Sequence, residues 1–173
     1  MKNPTHFLMA HLPLPNFLLL CWLMAGCDQT TPKHQWQLNV FNPGSNQTST
    51  ISESSVSHQL LVINYWAEWC KPCREEIPEL NHFAQAEQNH VVVLGVNFDD
   101  KQSAALQEAV HKLGITFPVT TSNPATLFSL PEITGLPTTL ILDEHGVLKE
   151  QLPGPQTLNS LEAALLRNNT GKR

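Results

Sequence analysis

Two cysteines separated by two residues, Cys70-Lys71-Pro72-Cys73, are the side chains of this sequence best suited to chemistry. In a helix two intervening residues make one turn, so the second sulfur returns beneath the first and closes a small disulfide ring with little backbone movement. The chemistry is thiol–disulfide exchange, in which one thiolate attacks a disulfide and the neighbouring thiol resolves the mixed disulfide that results. If the pair opens a helix, Cys70 meets the unpaired N–H groups and positive dipole end that stabilise a thiolate, which makes it the attacking sulfur. Cys73, one turn inside, is then the more buried, resolving thiol. Pro72 suits an early helical position, because the N–H it lacks has no intrahelical partner there. Two other readings are weaker. A structural zinc site needs two further ligands, and the eight histidines show no paired spacing to supply them. A purely structural disulfide over so short a loop removes little unfolded-state entropy.

The elements that must hold the pair are legible on either side of it. Leu60–Trp66 is an apolar and aromatic run short enough for a buried strand, and Arg74–Leu80 continues through Asn81–Gln88 with helix-forming residues. The cysteines therefore sit at a strand-to-helix junction. Downstream, Val91–Phe98 reads as a parallel strand covered on both faces. Lys101–Leu113 is a helix with Ala104, Ala105, Leu106, Ala109, Val110 and Leu113 on its apolar face, Asp99-Asp100 at its start and Gly114 as its stop. Phe117–Thr120 is a short strand, and Pro124–Leu130 a short helix ending at Pro131. Leu140–Leu142 and Val147–Leu152 form a hairpin across Asp143–Gly146, and Thr157–Arg167 is the last amphipathic helix. Upstream, Trp36–Phe41 alternates as a short added strand, and Gln47–Ser57, mostly Ser and Thr, reads as a loop with at most one weak strand. Strands alternating with helices and closing on a hairpin predict an α/β fold, a mixed β-sheet flanked by α-helices with a short N-terminal extension. The length of 173 residues and net charge of −5 suit one globular domain and give no reason to expect nucleic acid.

Three separate matches carry a family resemblance. Trp66-Ala67-Glu68-Trp69-Cys70-Lys71-Pro72-Cys73 looks like the active-site segment of thioredoxins, with Lys71 where thioredoxin itself has glycine. Pro78 matches the proline of the thioredoxin active-site helix, and Gly135-Leu136-Pro137-Thr138-Thr139 resembles the loop carrying the family's cis-proline. The form of that loop, followed by Leu140-Ile141-Leu142-Asp143, is most similar to the membrane-anchored branch typified by TlpA and ResA, extracytoplasmic thiol–disulfide oxidoreductases. The resemblance covers residues 35–170, a single-domain length.

The resemblance assigns further roles. A cis-Pro137 leaves the N–H and C=O of Leu136 free to pair with an extended substrate chain, whereas without the resemblance an ordinary trans turn proline is the default. Leu136 occupies the place before the cis-proline where the family varies and influences redox poise. Glu76 matches the acidic residue that ResA-like proteins hold near the thiols, where a partly buried carboxyl trades the resolving thiol's proton. The alternative is a solvated helix glutamate like Glu75 and Glu79. Thioredoxin proper has a buried aspartate on the preceding strand, where this chain has Asn64, which cannot act as a base. Trp69 and Trp66 pack around the site, Trp69 shielding the disulfide, and Glu68 is a surface residue.

The N-terminus carries its own signal. Phe17–Ala25 is an apolar run too short to span a bilayer and long enough for the core of a secretory signal, and Leu23-Met24-Ala25-Gly26-Cys27 resembles a bacterial lipobox. Residues 1–26 are then a signal peptide, Cys27 the lipid-bearing residue, and residues 27–34 a tether; an uncleaved anchor or ordinary signal peptide is the alternative. Asp28 resembles an inner-membrane retention signal, which implies the periplasmic face of that membrane. With Cys21 removed and Cys27 acylated, Cys70 and Cys73 remain as the only thiols, and in an oxidising compartment they stay oxidised unless a membrane thiol–disulfide donor reduces them. Pro72 beside Cys73 looks more like the reducing thioredoxins than like strong oxidants. The expected activity is protein disulfide reduction on selected clients such as apocytochromes c or copper-site proteins, with no cofactor and no bound metal. A copper-handling module or a net oxidase or isomerase on the same scaffold are the rivals.

Overall fold

The computed structural model describes residues 35–169. Among them, seven strands form one mixed sheet: β1 (Gln37–Asn42), β2 (Gln47–Ser52), β3 (Leu60–Trp66), β4 (Val91–Asn97), β5 (Val119–Thr120), β6 (Thr138–Leu142) and β7 (Leu148–Pro153). They lie in the order β2-β1-β5-β4-β3-β6-β7. The helices are α1 (Lys71–Ala86), α2 (Ser103–Leu113), α3 (Ala125–Phe128) and α4 (Leu158–Asn169). The signal, lipobox and tether assigned to residues 1–34, Cys27 included, lie outside the described residues.

β3 is central, and all seven of its residues are buried. It runs parallel to β4, Leu60 opposite Val91 through Trp66 opposite Asn97, and antiparallel to β6, Asn64 opposite Thr139 and Tyr65 opposite Thr138. A strand with neighbours on both edges and packing on both faces has no solvent-facing side, which is why its sequence is nearly unbroken in apolar residues. Val62 and Trp66 project into the core shared with α1, α2 and α4. Leu61, Ile63 and Tyr65 project to the other face, covered by Trp36, Val56 and the segment around α3. The three long helices thus occupy one face, and the second face is closed by the N-terminal extension and the β5–β6 connection.

The structure departs from the sequence expectation in three places. Gln47–Ser52 is a full strand, every residue paired with β1. Its polar composition is tolerated because it is an edge strand: the ladder comes from backbone groups, and its outward side chains face solvent. α2 begins at Ser103, so Asp99 and Asp100 lie before it and do not complement its dipole. Asn97 organises that turn instead, its carbonyl accepting from the N–H of Asp100 and its side-chain oxygen accepting from the N–H of Lys101. The strand expected over 117–120 is cut to Val119–Thr120, since Pro118 brings no N–H to the ladder. Gly114 caps α2 in the left-handed conformation, φ 66°, as expected. Gly95, in the middle of β4, serves a different need: a Cβ there would stand 2.9 Å from the buried indole nitrogen of Trp66.

Candidate active site

The four residues between the end of β3 and the start of α1 deliver Cys70 to the N-cap of α1. Its backbone is extended (φ −77°, ψ 102°), its N–H donates to the carbonyl of Ala67, and its sulfur accepts from the N–H of Cys73 at 3.2 Å. An unsatisfied helix N–H thus points at the sulfur, the arrangement that favours a thiolate when the bond is reduced. Cys70 and Cys73 are joined in a disulfide, with their Cα atoms 5.3 Å apart. Both are buried, at 4% and 1% exposure, with Cys70 the more open. Lys71 is exposed and pairs with Glu75 one turn on at 3.6 Å, a solvated pair of little energetic weight. Pro78 sits inside α1 and leaves the carbonyl of Arg74 without its helical donor.

The peptide bond between Leu136 and Pro137 is cis. The turn leads into β6, whose first residue, Thr138, lies opposite Tyr65 near the end of β3 that feeds the cysteines. The Thr138 hydroxyl donates to the carbonyl of Gly135 at 2.8 Å, which closes this turn on itself. Leu136 is half-buried and touches both cores.

Glu76 is only 2% exposed. Burial, which disfavours the charged carboxylate, pushes its pKa from 4.5 up to about 7. The N–H of Gln156, donating at 2.9 Å, and the amide of Asn64, donating at 3.1 Å, act in the opposite sense and do not overcome burial. Three residues along a helix bring Glu76 to the same face as Cys73, one turn away. The other two glutamates of that stretch separate cleanly: Glu75 is exposed, and Glu79 accepts from the N–H of Leu158 at the start of α4.

Trp69 corrects the sequence expectation. It is 64% exposed, its indole N–H donating to Asp99 at 3.0 Å, and Trp66 is the tryptophan that packs in the core. The difference follows from position: Trp66 ends a central strand, whereas Trp69 stands in the turn before α1. Glu68 is half-buried and is held by Lys101 and Lys112. Together with the Phe98 N–H donating to the Trp66 carbonyl at 2.8 Å, these bonds tie the cysteine-bearing turn to the segment after β4. The partners of Glu76 went unread in the sequence, although one signal existed: Asn64 is the only amide in the otherwise apolar Leu60–Trp66.

A cavity of about 500 Å³ lined by residues including Asn81, Gln85, Val93 and Phe117 lies at the far end of α1 and contains none of these residues.

The family model described as AhpC/TSA family matches residues 31–151. Among curated proteins, the thiol-disulfide oxidoreductase ResA of Bacillus thuringiensis (strain Al Hakam) is 30% identical over 106 residues, 61% of each chain. The thioredoxin-like protein YneN of Bacillus subtilis (strain 168) is 30% identical over 107 residues, 61% of this chain and 62% of that one. The match thus spans about 61% of the length of such relatives. Among solved structures, StoA from Bacillus subtilis superposes with a TM-score of 0.58 at 21% identity, covering 75% of this chain and 94% of that one. The exposed lipoprotein thioredoxin Etrx1 of Streptococcus pneumoniae superposes with a TM-score of 0.62 at 20% identity, covering 76% and 99%. With a matched span from before β1 into β7, the chain belongs to the AhpC/TSA family and has a thioredoxin-like fold.

Proposed function

We propose that this chain is an extracytoplasmic thiol–disulfide oxidoreductase that reduces disulfides in selected proteins through Cys70 and Cys73. The observation that carries the reading is a disulfide at a helix N-cap, with the cis Leu136–Pro137 turn at the same end of the central strand. In the reduced protein the Cys70 thiolate attacks one sulfur of a client disulfide, and the other client sulfur leaves as a thiolate that takes up a proton. Cys73 then gives up its proton, attacks the Cys70 sulfur and releases the second client thiol. Two electrons and two protons pass from the dithiol to the client, and the enzyme is left with the Cys70–Cys73 disulfide. Glu76 is the residue that takes the Cys73 proton, and with a pKa of about 7 it exchanges that proton near neutrality. The N–H and C=O of Leu136 pair with the client backbone. A membrane thiol–disulfide donor returns the disulfide to the dithiol.

The lipobox-like Leu23–Cys27 supports attachment through lipid at Cys27 on the periplasmic face of the inner membrane. A solved neighbour described as an exposed lipoprotein is consistent with that reading. Among the described residues no helix is long and apolar enough to cross a membrane. Lys71 favours the thiolate while the acidic residues after Cys73 oppose it, a moderate balance that suits a reductant, and clients of the apocytochrome c or copper-site class are those that the resemblance implies. The decisive experiment is Cys73→Ser in the exported protein. It should accumulate mixed disulfides on Cys70 that a further Cys70→Ser change abolishes, and mass spectrometry names the clients. Absence of any trapped protein, together with stoichiometric copper on the purified wild type, would instead favour the copper-handling module.

A further inference from the structure

Asn64 is a buried amide with one end in use and the other idle. Its Nδ2 group donates both hydrogens, to Glu76 at 3.1 Å and to the Thr139 hydroxyl at 3.0 Å, while its Oδ1 is buried with no hydrogen-bond partner among the described residues. An idle acceptor in a dry site costs free energy, and a fully used arrangement would be selected if one existed for a single fixed state.

The arrangement makes sense for a carboxyl that exists in two states. As a carboxylate, Glu76 accepts on both oxygens, from the N–H of Gln156 and from the Asn64 amide. As an acid it must place its proton on the oxygen facing Asn64, because the other oxygen is already held by a backbone donor. That new O–H needs an acceptor, and a half-turn of the Asn64 amide supplies one: Oδ1 then accepts from Glu76 and from the Thr139 hydroxyl, whose rotor can reverse from acceptor to donor. In each orientation one end of the amide is used twice and the other is idle, but its bond to the charged carboxylate is the stronger of the two, so the amide serves both forms and favours the ionised one. The proton on Glu76 decides.

We infer that Asn64 is a positioning residue for Glu76: its amide turns with the proton on that carboxyl, donating to the carboxylate and accepting from the acid. This rests on the proton-handling role proposed for Glu76 and adds the device that lets the same buried site hold either form. The groups facing the carboxyl are Asn64 on β3, the Gln156 N–H ahead of α4, and the disulfide one turn back on α1. Thr139 on β6 faces the other side of the amide, and Glu79 is engaged at the start of α4.

The test uses the oxidised full chain with no client, so its outcome is independent of whether the protein exchanges disulfides at all. Isotope-labelled protein is titrated from about pH 5 to about pH 9, following the Glu76 carboxyl carbon and the Asn64 side-chain amide by nuclear magnetic resonance. Both signals should move with one shared midpoint, and Glu76→Gln should hold the Asn64 amide constant across the range. Asn64→Ala, which removes the donor to the carboxylate, should raise the Glu76 midpoint by about one pH unit, a tenfold gain in proton affinity. Asn64→Asp, closer in shape, should split the titration into two steps as the two carboxyls share a proton. An Asn64 amide that stays flat while Glu76 titrates overturns the inference, as does an unmoved Glu76 midpoint in both Asn64 variants.

Discussion

Replacing Glu76 by glutamine should remove a pH dependence of stability whose size and sign follow from its environment. The unfolded chain releases this proton near 4.5, whereas the folded protein holds it to about 7. Between those values the native state binds more protons than the unfolded state, so stability falls as pH rises and the loss is complete above the folded pKa. At about 1.4 kcal/mol per pH unit, the interval corresponds to about 3 kcal/mol. That is a large part of the ~5–15 kcal/mol typical of a domain. Glutamine keeps the shape of the side chain: its carbonyl can accept from the Gln156 N–H, and its amide can face the Asn64 oxygen that is otherwise idle. The assay is urea unfolding of the oxidised wild type and Glu76→Gln at a series of pH values. The wild type should lose about 3 kcal/mol relative to the variant on going from about pH 4 to about pH 8. Taking the difference cancels the groups common to both proteins. Glu150 is one: the hydrogen bond from Arg167 holds its carboxyl below the usual range, so its contribution fades at the acid end in both. Parallel stability curves would refute the argument and mean that the carboxyl is charged in the fold at low cost.

Four further substitutions separate positions that look alike in sequence. Trp66→Ala should cost about 3–5 kcal/mol in chemical denaturation and Trp69→Ala about 1 kcal/mol or less, because the first empties a fully buried site and the second trims an exposed ring. Equal losses would contradict the contrast. Gly95→Ala should destabilise by about 1–3 kcal/mol, since its methyl group would meet Trp66, Val119 and Phe117 at 2.9, 3.0 and 3.2 Å; a stabilised variant would mean that the indole yields freely. Gly146→Ala should lower the melting temperature, with φ at 81° and a Cβ that would overlap the Phe128 ring, and an unchanged melting temperature would count against this turn geometry.

What the sequence revealed and what it hid divide along a physical line. The cysteine pair, its helix and the central strand were legible because their signals are local: a two-residue spacing, an early proline and an uninterrupted apolar run. The proline turn before β6 was legible through its resemblance to a known loop, since nothing intrinsic to Leu136-Pro137 demands the cis form. The burial of Glu76 was reached only through the same resemblance, with a solvated glutamate as the alternative, because Glu75, Glu76 and Glu79 share one stretch of helix and only the packing of α4 on α1 decides which one loses its water. Gln156, eighty residues away, completes that burial with a backbone donor that no periodicity announces. Trp69 was misjudged for the same reason, residue type alone carrying no record of whether neighbours cover the ring, whereas Trp66 packs beside both cysteines as expected. β2 was read as at most a weak strand because an edge strand is held by its neighbour's backbone and leaves its side chains free to be serine and threonine.

The buried carboxyl links stability to chemistry more tightly than either alone would require. Glu76 lies one helical turn beyond Cys73, and its two oxygens are fixed by the strand that delivers the cysteines and by the segment that begins α4. A proton moved from the resolving thiol to this carboxylate leaves the pair of groups with one fewer charge to bury than a proton sent to solvent would. The same burial that costs stability above about pH 7 therefore makes the carboxylate a willing acceptor there. The reactivity of the reduced dithiol and the stability of the oxidised fold should consequently bend near the same pH, and both bends should vanish together in Glu76→Gln. Alkylation rates of the reduced protein measured beside the unfolding series decide the matter: a reactivity midpoint that survives the substitution while the stability slope disappears would assign the thiol's proton to another acceptor.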